Sequence, residues 1–264
     1  MKYSFIAILL IPLLYACDPE TQDLDENTET AKEVQEEVIT VGDSIINLAF
    51  TAHGGDLYNP AAYQFVFRGV QYTFENEGTQ YTYSKIDTSN GQLTVDRMTN
   101  DSFERTINEA LQELEEKERF KYQEALNSVI YFATLPHKLI DKAVNKTYVS
   151  DVTIKDNNYF VVEVSFDEEG GGKDHDDIFY YWINNSTHKI DYLAYQYATN
   201  GGGVRFRAAN NPRVVEGITF QDYVNYGAPV GTPLAELPVL FESDSLKELS
   251  LINTEDVFIL STVK

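Results

Sequence analysis

Cysteine occurs once in the 264 residues, at position 17, so no disulfide can form within the chain. Basic side chains are scarce as well. Only 20 Lys and Arg stand against 42 Asp and Glu, a formal net charge of −22. That balance excludes a nucleic-acid-binding role, which needs a basic stripe, and disfavours direct adhesion to anionic lipid surfaces. Long apolar runs are missing. The one sustained run, residues 5–14 broken at Pro12, is too short for the roughly 20 residues of a membrane-spanning helix. Metal and nucleophile patterns are missing too. The four histidines, at 53, 137, 175 and 188, are far apart and lack a helical two-ligand spacing, so no zinc site is expected. No serine lies in a nucleophile-elbow context, and no cofactor motif is present. Against 2 Met, the chain has 18 Tyr and 15 Phe, a mix that favours strands over helices.

What is present begins with an address. Lys2, the apolar run and Leu14-Tyr15-Ala16-Cys17 read as a signal peptide over residues 1–16. Leu, a small residue and Cys at these positions resemble the lipobox of bacterial lipoproteins, in which the cysteine is diacylated and becomes the N-terminus. Tyr15 is bulkier than usual there. A lone free thiol is a liability in an oxidising compartment, and acylation removes it. Residues 17–33 then form an acidic, self-repelling tether with almost nothing apolar to bury. Such an acidic stretch resembles the export signal of surface lipoproteins in Bacteroidota-type bacteria. Residues 34–264 are read as a single domain. The expected location is the outer membrane, on its periplasmic or cell-surface side, with the membrane engaged through lipid on Cys17.

Periodicity orders the rest. Val34, Val38, Val41, Ile45, Leu48 and Ala49 draw an apolar stripe on a helix over 32–52, ended by His53-Gly54-Gly55. Strands follow at 63–68, 71–75, 80–86 and 92–98, separated by turn residues. Asp101 with Glu104 predicts a capped helix whose stripe is Phe103, Ile107, Leu111 and Leu114. A second helix is predicted over about 120–135, stopped by Pro136. Strands resume at 146–154, 159–166, 178–184, 189–197, 204–208 and 218–226, and a last one at 257–260 closes the sheet.

Strands and helices in this order, without βαβ alternation, define an α+β fold with an antiparallel sheet. A (β/α)₈ aldolase with a Schiff-base lysine is thereby excluded. Ile178, Tyr180 and Trp182 alternate with Phe179, Tyr181 and Ile183, so this strand is apolar on both faces. One face must meet helices, and the other must line an enclosed space or a second layer.

The stretches HGGDLY (53–58), NSVIYFATLP (127–136), EEGGGKDHDDIFYYWI (168–183), DYLAYQY (191–197), NGGGVRFRAANNPRV (200–214) and GITFQDYVNY (217–226) resemble a family of uncharacterised Bacteroidota lipoproteins. That family is similar in architecture to the bacterial lipoprotein carriers. The resemblance implies a curved antiparallel half-barrel of about ten or eleven strands, with helices on or over one face and an apolar cavity between.

Several groups are candidates for a site. Arg205 and Arg207 share one face of a strand, with Val204, Phe206 and Ala208 on the other. With Arg213 they could grip an anionic head group, although pairing with Asp176, Asp177 or Asp222 is the preferred reading. Tyr180, Trp182, Tyr192, Tyr195 and Tyr197 read as core that could also line a cavity. His53 reads as a helix-end partner. The triple-glycine turns at 170–172 and 201–203 are read as flexible hairpin turns on one rim rather than phosphate loops. The acidic run 167–177 is read as a solvated loop before a calcium site. The leading functional reading is a membrane-anchored envelope lipoprotein, more a binder than an enzyme, that takes up a lipid or another apolar ligand. An envelope enzyme acting on a carbohydrate or ester at the glycine rim, and a scaffold for envelope partners, stay open.

Overall fold

The computed structural model describes residues 39–167, 177–198 and 201–260. The lipobox, the tether, the 170–172 glycines and most of the acidic run lie outside them.

Thr40 starts the first helix with a reciprocal cap. Its hydroxyl accepts from the Asp43 amide at 3.0 Å, and the Asp43 carboxylate accepts from the Thr40 amide at 3.1 Å. Helix α1 spans Val41–His53 and ends at Gly54, whose φ of 143° a side chain would strain. The described helix therefore starts at 41, and the part predicted over 32–38 lies outside the described residues. Ile45, Ile46, Ala49, Phe50 and His53 face inward, while Val41 and Leu48, expected on the buried stripe, are 62 % and 44 % exposed. Gly42 sets this rotation, because its Cα lies against the backbone of Lys146.

Six strands follow: β1 (Ala62–Phe67), β2 (Val70–Glu77), β3 (Gln80–Asp87), β4 (Thr94–Thr99), β5 (Phe103–Ile107) and the short β6 (Ala110–Leu111). The helix predicted after Asp101 is in fact the β5–β6 hairpin. Asn108 and Glu109 take φ of 49° and 69°, a left-handed pair that reverses the chain in two residues. A spacing of four, as between Phe103 and Ile107, puts residues on one face of a strand as well as of a helix. Partnership with β4 decided between the two.

Helix α2 covers Glu116–Ala133, four residues earlier at its start than expected. The chain then builds β7 (Val144–Ile154), β8 (Asn157–Phe166), β9 (Ile178–Asn184), β10 (Ile190–Tyr197), β11 (Gly203–Val215) and β12 (Ile218–Ala228). A short helix α3 (Leu237–Glu242) precedes β13 (Lys247–Ile252) and β14 (Glu255–Ile259).

These strands form two seven-stranded antiparallel sheets, ordered β14-β1-β2-β3-β4-β5-β6 and β13-β12-β11-β10-β9-β8-β7. The chain turns the corner from one to the other between Ile252 and Glu255. At the opposite ends, β6 and β7 are unpaired edges joined through α2. The result is an open, curved α+β half-barrel, not a closed barrel, with a helix running across its concave side. The strand count exceeds the expected ten or eleven by β5, β6 and β13. The described residues form one compact unit, whose core has three parts. Two lie inside: α1 with the inner face of the β7–β13 sheet, and α2 with the β1–β4 aromatics and Phe220. The third lies outside, where Leu234, Leu237 and Phe241 cover Trp182, Val204 and Phe206.

Candidate functional site

Alternation along β11 divides its side chains between two environments. Val204, Phe206 and Ala208 enter the outer layer under α3, while Arg205, Arg207 and Ala209 turn to the concave side. The five aromatics read as one stripe are split by the same rule. Tyr180, Trp182 and Tyr192 belong to the outer layer, Trp182 1 % exposed and Tyr192 stacked on Phe206 at 5.5 Å. Tyr195 and Tyr197 are on the concave side with the arginines.

There α2 leaves space beneath it. A cavity of about 100 Å³ is lined by Phe65 and Phe67 of β1, Val129, Phe132 and Ala133 of α2, and Ile252 of β13, with Ser128, Arg207, Tyr223 and Thr254 as polar members. A second of about 90 Å³ lies on the other side of Phe132, between Ser128, Tyr131, Phe166 and Phe179. A third, wider space of about 340 Å³ continues past Tyr131 and Phe166 to Tyr83, Met98 and Lys138. Shared walls make these a row under one helix. Phe132 separates the first two, and Tyr131, hydrogen-bonded through its hydroxyl to that of Tyr181 at 2.7 Å, stands beside the second and third.

Arg207 is the charged member of the first cavity. It is 8 % exposed, and its guanidinium carbon stands 3.9 Å from the Phe132 ring centroid and 5.3 Å from that of Tyr195. Nη2 donates to the Tyr195 hydroxyl at 2.9 Å. Nε is buried and has no acceptor among the described residues. No carboxylate among the described residues pairs with this guanidinium. Of the two neighbouring arginines, only Arg213 has a carboxylate partner among the described residues. Arg213 pairs with Asp222 at 3.1 Å, as preferred from the sequence, and also donates to the Thr254 carbonyl. Arg205 donates to the Tyr197 hydroxyl and lies 5.1 Å from its ring centroid.

His53 closes α1 rather than the cavity. Its Nε2 accepts from the Ile190 amide at 3.2 Å, and burial, with the Lys189 charge beside it, lowers its pKa to about 3. Lys189 Nζ donates to the Ala52 carbonyl at the helix end and to Thr219 Oγ1. His137, weighed in the sequence only as a zinc ligand, is half-buried. It stacks on Tyr58 at 4.8 Å, and burial lowers its pKa to about 4. The glycines at 201–203 border a shallow hollow of about 330 Å³ beside Gln196, Tyr197 and Val230. No group of three metal-ligating side chains occurs among the described residues. Cys17 and the 168–176 stretch lie outside them.

The residues missed in the sequence are those of α2 and β1 that wall the cavity. Phe132 and Val129 carried a signal in the apolar stretch 129–133, but nothing local shows that this helix faces two sheets at once.

Two open antiparallel sheets with helices in their concavity are an arrangement that this chain shares with solved structures. The chain is similar in fold to the crystal structure of a LolA superfamily protein from Nitrosomonas europaea, with a TM-score of 0.50 at 10 % identity over 84 % of this chain and 95 % of that one. A DUF1329 family protein from Desulfovibrio piger matches at a TM-score of 0.44 and 8 % identity over 84 % and 95 % of the two chains. The particular family follows from the sequence: residues 57–254 match DUF6503, a family of unknown function, and the chain belongs to it. No curated protein matches in sequence.

Proposed function

We propose that this protein is a lipid-anchored envelope protein that shelters the apolar part of an amphipathic ligand between α2 and its two sheets. The row of cavities under α2 carries the reading. An apolar tail placed there is worth about 25 cal/mol per Å² removed from water, and the aromatic lining supplies a surface without directional demands. At about 100 Å³ the first cavity holds only the start of such a tail. Full entry requires α2 to shift and Phe132 to turn, which joins the first two spaces. The helix is suited to this, because only Leu126 and Ile130 of its 18 residues are fully buried. The fold shared with a LolA superfamily protein supports the same reading. Cys17, with its lipobox context, would hold the protein to the outer membrane.

Native mass spectrometry of full-length protein, extracted gently from membranes, tests the binding: a co-purifying lipid is expected. An interior that carries no lipid and takes up no fluorescent fatty acid would overturn it. For the anchor, Cys17→Ala is expected to move the protein from the membrane to the soluble fraction; undiminished membrane retention counts against lipidation.

A further inference from the structure

The amphipathic-ligand reading leaves the polar end of the ligand undefined, and one buried group on β11 defines it. From Arg207 and the cavity it lines, we infer that the site under α2 selects ligands whose polar end is an oxyanion, a carboxylate or a phosphate ester, attached to an unbranched apolar tail. The inference rests on that reading and adds the head-group chemistry to it.

A guanidinium cannot shed its proton in a protein, so Arg207 carries a full charge more than nine-tenths buried. In a chain of net charge −22 acidic partners are abundant, and Arg213 on the same strand finds one in Asp222. Among the described residues Arg207 receives one phenol oxygen and two aromatic faces, and its Nε has no acceptor. A buried charge left in that condition is destabilising unless something compensates it. The cavity beside it is otherwise apolar, and its other polar members are the Ser128 and Tyr223 side chains and Thr254. An oxyanion there would accept the fork of donors that the protein leaves open, and Ser128 stands on the opposite wall to add a hydroxyl. The tail would follow Phe65, Phe67, Val129 and Ile252 away from the charge. Arg205, two residues toward the 201–203 turn on the same face, extends the positive character toward the rim, so the approach and the end point have the same sign.

Three probes of one chain length test this on the folded protein: decanoate, decyl phosphate and decanol, titrated calorimetrically below their aggregation limits. At least tenfold tighter binding of one or both anions than of the alcohol is expected, and the stronger of the two tells a carboxylate site from a phosphate site. Arg207→Met should abolish the preference and leave decanol affinity within about threefold. Equal binding of all three by the unaltered protein overturns the inference and leaves the amphipathic-ligand reading standing. An anion preference that survives Arg207→Met overturns it too, by putting the head group elsewhere. Failure of every probe to bind overturns both. Should Arg207→Met not fold, decanoate carrying a photoreactive diazirine next to its carboxylate decides the matter in the unaltered chain. Labelling of Phe132, Ser128 or Thr254 supports the site, and labelling confined to other residues rejects it.

Discussion

The guanidinium of Arg207, on β11, lies 3.9 Å from the ring centroid of Phe132, on α2, and this contact ties the crossing helix to the β7–β13 sheet. Phe132 is at once a partner of that charge and the wall between two cavities. Phe132→Ala should therefore do two things. It should lower stability by about 2–3 kcal/mol in urea denaturation, as for a partly buried aromatic truncated to a methyl. It should also tighten decanol binding, because the two spaces become one. Loss of stability without a gain in uptake would show that the cavity collapses instead.

The other arginine that holds α2 is Arg105. It pairs with Asp96 through two bonds, Nε at 2.5 Å and Nη2 at 2.7 Å, and its guanidinium carbon stands 3.2 Å from the Tyr122 ring centroid. Asp96 is 1 % exposed. Asp96→Asn keeps the shape and removes the charge, so Arg105 is left buried beside a neutral amide. A loss of about 3 kcal/mol is expected by urea denaturation. A double variant, Asp96→Asn with Arg105→Met, should recover part of it, since the unpaired charge is then gone.

Gly42 offers a test in which two effects have opposite signs. Helix propensity alone favours Ala over Gly by about 1 kcal/mol. A β-carbon at Gly42 would, however, stand 2.3 Å from the Lys146 carbonyl oxygen, which forces α1 away from β7. Gly42→Ala is accordingly expected to destabilise by about 2 kcal/mol, read as a lowered melting temperature. A rise in melting temperature would mean that the helix can slide at little cost.

Acid should weaken the fold through its buried histidines. His53 and His137 have pKa values lowered to about 3 and about 4, chiefly by burial. Below pH 6.5 the unfolded chain takes up two protons that the folded chain refuses, so stability rises with pH across this window and falls on acidification. Each histidine contributes roughly 1.4 kcal/mol per pH unit while the folded form stays neutral. Asp43, held below the usual carboxylate range by the Thr40 hydroxyl and by Lys146, adds a loss in the same direction at lower pH. Urea titrations from pH 7 to 4 should show the slope, and His137→Phe, which preserves an aromatic face against Tyr58, should reduce it by about half. A slope unchanged by that substitution would assign the acid sensitivity elsewhere.

How much was legible in the sequence depends on how far each signal reaches along the chain. The β2–β3 and β7–β8 hairpins were readable because turn residues and alternating side chains sit next to one another. The faces of β11 were readable for the same reason: Arg205 and Arg207 had to part from Phe206. The β5–β6 hairpin was not, since Phe103 and Ile107 satisfy both periods and only pairing with β4 chooses. The tail hid β13 because its exposed Leu249 and Leu251 and its inward Ile252 give no clean alternation. The candidate site was half legible. Arg205, Arg207, Tyr195 and Tyr197 were named as residues, but that Arg213 finds Asp222 while Arg207 finds no carboxylate among the described residues is a matter of register across strands.

By itself, then, the sequence determined the α+β class, most strand positions, the absence of a basic surface and the parting of Arg205 and Arg207 from Phe206 on opposite strand faces, all of them consequences of local spacing and composition. The tertiary structure alone decided that the fourteen strands of the described residues divide into two sheets meeting between Ile252 and Glu255, that Tyr180, Trp182 and Tyr192 lie outside while Tyr195 lies inside, and that α2 leaves room beneath it. These depend on which distant segments share a surface. Pairing energy of that kind is spread over residues more than a hundred positions apart, and no window of the chain contains it.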